Sequence, residues 1–400
     1  MPTSSPTTNR ATPAAPILLA AGGTGGHLFP AEALARELVA RGHAPVLITD
    51  RRGKAFGDAL PEVTVERIHA GQLRGGFTGK LRGAALLALG ALDARILIGR
   101  LHPAVVVGFG GYPSVPTLWA AVRAGIPILL HEQNAVLGRA NRLFARRAER
   151  IAIGFPRTDR VEACDLVKLV HTGNPVRPGF IPLRDQAYLP PEPGGPLRLL
   201  VLGGSQGARV FSTLVPAALA LLPEDRRARL QLVQQCRPED IETARKAFAD
   251  AGIRAELSTF FRDVPDRLRV AHLVITRSGA STVTELTATG RPSILIPYPA
   301  AMDDHQTANA RAIVEAGGAW LAVQNQLTPQ SLAQQLVTLL DDPAALSRAA
   351  LDARAWGAID AAARLANVVL DLATDSGAKP MPPDQPRTPP SPSSSLEAAA

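Results

Sequence analysis

At 400 residues, with 46% hydrophobic and 20% charged side chains, the chain is too long for one ordinary core and too apolar for a disordered polymer, so two globular domains are expected. The net charge of +8 is unevenly placed: residues 1–180 carry 22 basic and 12 acidic side chains, net +10, and residues 181–400 are net −2, so the first half suits an anionic partner or is simply a solvated face. Cys164 and Cys236 lie far apart in no CxxC or Cys/His cluster, which argues against a disulfide framework and a zinc site and for a reducing compartment.

Residues 1–15, rich in Pro, Ser, Thr and Ala, are expected to be a disordered tail, as are residues 374–400. The run 17–21 (ILLAA) reads as a buried strand. It is too short for an export signal, and a glycine turn and an amphipathic helix follow it. Further strands are expected at 45–49 (PVLIT), 104–107 (AVVV), 126–130 (IPILL) and 150–153 (RIAI). More follow at 198–202 (RLLVL), 230–234 (LQLVQ), 272–276 (HLVIT) and 293–297 (SILIP). Runs this apolar, alternating with helical patterns, indicate parallel sheets covered on both faces and joined by right-handed crossovers. The stretch 72–100 mixes Arg74, Lys80, Arg82, Arg95 and Arg100 with Phe77, Leu81 and many Leu/Ile. Its Leu/Ile are expected mostly to pack on the first sheet, with Phe77 and Leu81 in a loop-like start. The stretch 104–122 holds 19 residues without a charge, but Gly108, Gly110, Gly111, Pro113 and Pro116 divide it into strand, loop and helix, so no membrane span is expected. The Pro/Gly-dense segment 181–196 reads as an interdomain linker. This leaves 16–180 and 197–354 as domains and 355–373 as a closing helical stretch.

The two halves resemble each other. "LLAAGGTGGH" is answered by "LLVLGGSQGAR", which sets Gly22 against Gly203, and "VVVGFGGYPSVPT" by "LVITRSGASTVTE" a similar distance downstream. The expected fold class is α/β, with two Rossmann-like parallel-sheet domains facing a cleft and ligands beyond the carboxyl ends of the strands.

The distinctive stretches all fall at such strand ends. "GGTGGHLFP" is either a phosphate cradle at a helix start or a tight structural turn, and it is not the GxGxxG dinucleotide fingerprint. "HEQN" (131–134) follows a strand too directly to be all core, so it is read as a polar sugar-binding rim, or as a helix cap built by Asn134. Arg177 in "TGNPVR" reaches a phosphate or forms a surface ion pair. "GGSQGAR" offers Ser205 and backbone amides. "SGAST" opens a helix whose free N–H groups and dipole suit a diphosphate, and Glu285 beyond it is placed to accept from a ribose diol or is an ordinary helix Glu. "DDHQTANA" puts Gln306 and Asn309 on one helical face. No DxD pair or HxH set is available for a metal, so none is expected.

"GGTGGH", "GFGGYPS", "HEQN", "TGNPVR", "GGSQGAR", "RSGASTVTE" and "DDHQTANA" occur in this order, and over roughly residues 16–370 the chain resembles the MurG family. The resemblance implies a GT-B glycosyltransferase that moves GlcNAc, with inversion, from UDP-GlcNAc to the 4-hydroxyl of MurNAc-pentapeptide on undecaprenyl pyrophosphate (lipid I to lipid II) in peptidoglycan synthesis. It implies donor contacts from Thr24, Gly25, Gly26, Asn134, Arg177 and Ser205, from Ala280, Ser281, Thr282, Val283, Thr284 and Glu285, and from Gln306. Phe261 aligns where the family turns a backbone toward uracil. Ser281 departs from the leucine of many relatives, and His305 from the glutamine of some.

Such a transfer needs a base for the attacking hydroxyl, and imidazole has a suitable pKa. His27 is the first candidate, with Glu132 the alternative base and pyrophosphate contact the alternative role for His27. The resemblance further implies no cofactor, no nucleic-acid partner, and a peripheral position on the anionic cytoplasmic face of the plasma (inner) membrane, since a polyprenyl acceptor stays in the bilayer. The stretch 72–100 is the candidate contact. A UDP-sugar epimerase of GT-B shape, a Rossmann dehydrogenase and a nucleotide-sugar sensor are the competing readings.

Overall fold

The computed structural model describes residues 15–22, 25–50, 61–71, 76–204 and 207–377. Thr24, Ser205 and Arg74 lie outside the described residues, as do most of both expected tails. The first sheet contains β1 (Ile17–Ala20), β2 (Pro45–Thr49), β3 (Thr64–Arg67), β4 (Val105–Gly108), β5 (Ile128–Glu132), β6 (Arg150–Ile153) and β7 (Leu169–His171). Their order is β3-β2-β1-β4-β5-β6-β7, and every pairing is parallel. The second sheet contains β8 (Leu197–Leu202), β9 (Leu230–Gln235), β10 (Ala255–Ser258), β11 (Leu273–Thr276), β12 (Ser293–Leu295) and β13 (Ala319–Leu321). It is likewise parallel, in the order β10-β9-β8-β11-β12-β13. The strands absent from the sequence reading are β3, β7, β10 and β13, which are the four sheet edges.

The pleat sends alternate residues to opposite faces, so each sheet feeds two cores. In the first sheet, Ile17 and Leu19 of β1 pack with α1 (Gly25–Ala40). Leu18 points the other way, into a core that also takes α2 (Phe77–Leu101), α3 (Ser114–Arg123) and α4 (Arg139–Phe144). In the second sheet, Leu197, Leu199 and Val201 pack with α5 (Phe211–Ala220), beyond which come the short α6 (Glu224–Arg227) and α7 (Ile241–Asp250). Leu200 and Leu202 face α8 (Val264–Val270), α9 (Ala280–Thr289) and α10 (His305–Glu315). The chain then adds α11 (Pro329–Leu340), α12 (Pro343–Trp356) and α13 (Ala361–Gly377).

Two features differ from expectation. Residues 355–373 are not one helical stretch: α12 ends at Trp356, and α13 continues to Gly377, into what reads as tail. This last helix does not stay with the second sheet. Its Leu365, Ala366 and Val369 are fully buried beside β1 and α1, and Arg41 binds Asn367 Oδ1 at 2.6 Å. Burying Leu365 alone contributes about 1.5–3 kcal/mol, so the last helix holds the two halves together. The second is that Phe77 and Leu81 belong to α2 itself and not to a loop.

Candidate active site

In a doubly wound sheet the crevice opens where the strand order reverses. Here that is between β1 and β4 in one sheet and between β8 and β11 in the other. The turns after these strands are "GGTGGH", "GFGGYPS", "GGSQGAR" and "RSGAS". Described residues of the first, third and fourth of these turns line a cavity of about 990 Å³ shared by both halves, a size that suits a nucleotide sugar, and the second turn packs behind the first. Gly22 makes the first turn possible, because a Cβ there would lie 2.8 Å from Cβ of Pro113 in the second turn.

The second half supplies an anion site. Gly279 precedes α9 in extended conformation and makes no side-chain cap, so the amides of Ala280, Ser281 and Thr282 stay available at the positive end of the helix. All three residues line the cavity. Val283 and Thr284 do not. The Val283 amide donates to Gly279 O at 3.0 Å and its side chain is core, while Thr284 Oγ1 donates back to Ala280 O. Their expected donor contacts are corrected, since from the fourth residue onward a helix uses its own amides.

Glu285 lines the cavity with only 9% of its surface exposed. Burial pushes its carboxyl pKa up, and Arg177 opposes the shift. The Arg177 guanidinium lies 4.8 Å from the ring centres of both Phe29 and Phe180 while bonded to Glu285. Arg177 is therefore ion-paired, but inside the cavity and not on the outer surface. Gln306 lines the wall with Oε1 accepting from Tyr298 N at 2.9 Å, and Phe261 also lines the cavity, with the Arg267 guanidinium 4.1 Å from its ring centre.

From the first half come Gly25, Gly26, His27, Gln133 and Asn134. His27 packs against the second turn: Gly111 has φ +73°, and a Cβ there would be 3.1 Å from His27 Cδ2. Its Nδ1 lies 2.9 Å from Gln133 Oε1.

Of "HEQN", read as a polar sugar-binding rim or a cap by Asn134, Gln133 and Asn134 line the cavity, whereas His131 and Glu132 do not. His131 and Glu132 are the last residues of β5, and His131, Glu132 and Gln133 are all at most 2% exposed. Most of their polar atoms are bonded to one another and to the loop, with His131 Nε2 the exception. Glu132 Oε1 accepts from Asn134 N and Nδ2, and its Oε2 accepts from Gly138 N and Asn141 Nδ2. A carboxylate so enclosed shapes the loop and has no lone pair directed to a substrate, so Glu132 is not the base.

The halves meet beside the cavity. Asn309, fully buried on α10, accepts from Ala135 N at 2.8 Å and donates to Asn134 Oδ1 and Ser278 O. Asp303, in left-handed conformation at φ +55°, faces Arg139, Arg142 and Arg160 of the first half at 3.2, 2.6 and 3.7 Å. Among the described residues, the one cluster able to hold a cation is Glu162, Cys164 and Asp165, none of which lines the cavity.

Family models described as the glycosyltransferase family 28 N-terminal and C-terminal domains match residues 17–153 and 198–365. The chain is 58% identical, over 93% of its length and 98% of the relative's, to a protein of Rhodospirillum centenum. That protein is named UDP-N-acetylglucosamine--N-acetylmuramyl-(pentapeptide) pyrophosphoryl-undecaprenol N-acetylglucosamine transferase. The chain belongs to glycosyltransferase family 28. A Rhodospirillum rubrum protein of the same name is 57% identical over 92% of this chain and 95% of its own. The solved structure of Acinetobacter baumannii MurG matches with 30% identity and a TM-score of 0.71, covering 89% of this chain and 99% of that one.

The two family 28 matches fall one on each sheet, and the architecture is that of a GT-B glycosyltransferase. Two cavity-side roles escaped the sequence reading of this family 28 chain. Asn309 was placed on a face, but its bonds across the halves have no local signature. Gln133 was read as rim, and its position between two imidazoles follows only from the packing of β5 against α1.

Proposed function

We propose that the chain transfers N-acetylglucosamine from UDP-N-acetylglucosamine to the 4-hydroxyl of MurNAc-pentapeptide carried on undecaprenyl pyrophosphate, converting lipid I to lipid II. The observation that carries this reading is the convergence, in one cleft between the sheets, of the open amides of α9, the buried carboxylate of Glu285 and the imidazole of His27. The diphosphate lies against Ala280, Ser281 and Thr282, where N–H donors and the helix dipole offset its charge without a metal. Glu285 accepts from the ribose diol, and Gln306, Asn134 and the Phe261 backbone frame the sugar and base.

The acceptor oxygen attacks C1 of GlcNAc from the face opposite the diphosphate. The new O–C1 bond forms as the C1–O bond to the β-phosphate breaks, UDP leaves with the electron pair, and the configuration inverts. His27 Nε2 takes the hydroxyl proton as the bond forms, which avoids an oxonium-like intermediate.

The acceptor's lipid tail requires docking on a bilayer. Along α2, Phe77, Leu81, Leu89, Leu92 and Ile96 form an exposed stripe at helical spacing, with Phe77 84% and Ile96 72% exposed. Lys80, Arg82, Arg95 and Arg100 are exposed on the same helix, and Trp119 is exposed on neighbouring α3. No described helix is long and apolar enough to cross a membrane. This combination supports reversible binding to the anionic cytoplasmic leaflet, with the apolar stripe in the acyl boundary and the cations at the headgroups.

The deciding assay measures UDP release in EDTA-containing buffer, with and without a lipid I analogue. Release that requires the analogue, accompanied by a disaccharide product, is expected. UDP release without acceptor, conversion of the donor into another UDP-sugar, or a strict need for Mg²⁺ or Mn²⁺ would overturn the reading.

A further inference from the structure

The geometry points to Gln133 as a positioning residue that locks His27 in the tautomer with hydrogen on Nδ1, so that Nε2 presents its lone pair to the cleft, with His131 as the buried anchor of the lock. The inference rests on the reading of His27 as the base and deepens it.

The main-chain carbonyl oxygen of His131 lies 2.9 Å from the side-chain nitrogen of Gln133. A carbonyl oxygen only accepts, so the amide group turned to it must be the NH₂. The same nitrogen lies 2.9 Å from His131 Nδ1, which gives the second amide hydrogen an acceptor when this imidazole is neutral with its hydrogen on Nε2. His131 is fully buried, and burial holds its pKa down to about 4, with the nearby His27 adding to the effect and a backbone contact at Gly173 opposing it. Phe109 covers the ring, with centroids 5.4 Å apart. The backbone of Gln133 is held as well, its carbonyl accepting from Asn174 Nδ2 at 2.8 Å.

With its NH₂ committed to His131, Gln133 can offer only Oε1 to His27, and this oxygen is 2.9 Å from Nδ1. An amide oxygen has no proton, so Nδ1 must carry one. A neutral imidazole with hydrogen on Nδ1 has its lone pair on Nε2. No described residue bonds to that nitrogen, and the flat face of Gly111 lies beside it. Gln133 is 2% exposed, and turning its amide over would set Oε1 against the His131 carbonyl oxygen, two acceptors facing each other. Without the lock, His27 is free to carry its hydrogen on Nε2, where it faces the acceptor hydroxyl as a donor and cannot remove the proton.

The test uses the full chain labelled with ¹⁵N-histidine. Long-range ¹H–¹⁵N correlations at about pH 8, where an ordinary imidazole is neutral, identify the protonated nitrogen. The His27 signals are assigned by their loss in His27→Gln. In the wild type, His27 is expected to show hydrogen on Nδ1. In Gln133→Met, of similar length but with no amide, the pattern is expected to move toward Nε2. With it, kcat should fall roughly ten- to a hundredfold while the KM for UDP-GlcNAc stays within about twofold. Hydrogen on Nε2 in the wild type overturns the proposal, as does an unchanged tautomer or an unchanged kcat in Gln133→Met. If that variant does not fold, the wild-type spectrum decides alone. An Nδ1–H pattern alongside full activity of His27→Gln would leave the lock standing and remove instead the assignment of His27 as base.

Discussion

Arg177 donates to one oxygen of Glu285, with Nε at 2.8 Å and Nη2 at 2.7 Å from Oε1. Arg177 belongs to the segment after β7 and Glu285 to α9, so the pair bridges the two halves inside the cavity. Oε2 has no partner among the described residues, which leaves an acceptor for a ribose hydroxyl. Glu285→Ala should therefore weaken UDP binding by roughly 1.5–3 kcal/mol per charged hydrogen bond lost, about ten- to 150-fold. Calorimetric titration with UDP checks this. Adding Arg177→Ala corrects for any new contact made by the released guanidinium, and unchanged affinity in both variants would take Glu285 out of the donor site.

His27→Ala removes the proposed base without touching α9. The expected loss in kcat is roughly 10²- to 10⁴-fold, with UDP affinity nearly constant. Steady-state rates at varied acceptor separate the two roles of the imidazole. A rise in acceptor KM alone would make His27 a pyrophosphate contact.

Asp303 gathers Arg139, Arg142 and Arg160 from the other half, and Arg139 is the main influence holding its carboxyl below the usual range. The residue is in left-handed backbone conformation, which asparagine tolerates well. Asp303→Asn therefore removes the charge while keeping the turn. Gln306 lies three residues on, so loosening the latch should raise the donor KM by roughly two- to fivefold, an effect that high salt in the wild type should mimic. Salt-independent kinetics identical in both proteins would show that the latch does not bear on donor binding.

His131 links the site to stability. An unfolded imidazole takes a proton below about pH 6.5, whereas the buried one resists protonation down to about 4. The folded state binds fewer protons in that window, so the contribution of His131 is fully present above pH 6.5 and is lost as the pH falls toward 4. The loss is on the order of 3 kcal/mol. Urea unfolding of the wild type and His131→Gln across this range should give a steeper acid loss in the wild type. Parallel curves would refute the prediction.

The α2 stripe makes a prediction about lipid. Wild-type chain should sediment with vesicles containing anionic phospholipid, less so at high salt, because each surface cation contributes about 1 kcal/mol and is screened within a Debye length. Replacing Phe77, Lys80, Leu81 and Arg82 with Ser should abolish sedimentation while leaving UDP affinity unchanged. Equal sedimentation of both proteins would place the membrane contact elsewhere.

Much of this molecule was legible in order along the chain. The central strands were, because a strand buried on both faces must be apolar at nearly every position, as ILLA of β1 and VVVG of β4 are. The switch-point turns were, because close backbone approach to an anion needs glycine and an open helix start. The family motifs added the reaction. The edge strands were not legible: β3 reads TVER and β10 reads AELS, since an edge strand has one neighbour and partly wet faces and so loses the apolar signature. The outward stripe on α2 had the period of any amphipathic helix, and only the fold decides which face of a helix meets the sheet. The same holds for α13, whose apolar face fits either half equally well by pattern but packs on α1 and β1. Four polar residues in a row at 131–134 suggested a polar sugar-binding rim or a cap by Asn134. Tertiary contacts from Asn141, Gly138 and Asn174 drew His131, Glu132 and Gln133 into a buried network, and set Gln133 between two histidines. Local sequence determined which segments must be buried and which backbones must bend. The pairing of Glu285 with Arg177, or of His27 with Gln133, joins residues more than a hundred positions apart, and only the packed chain brings their atoms within hydrogen-bond distance.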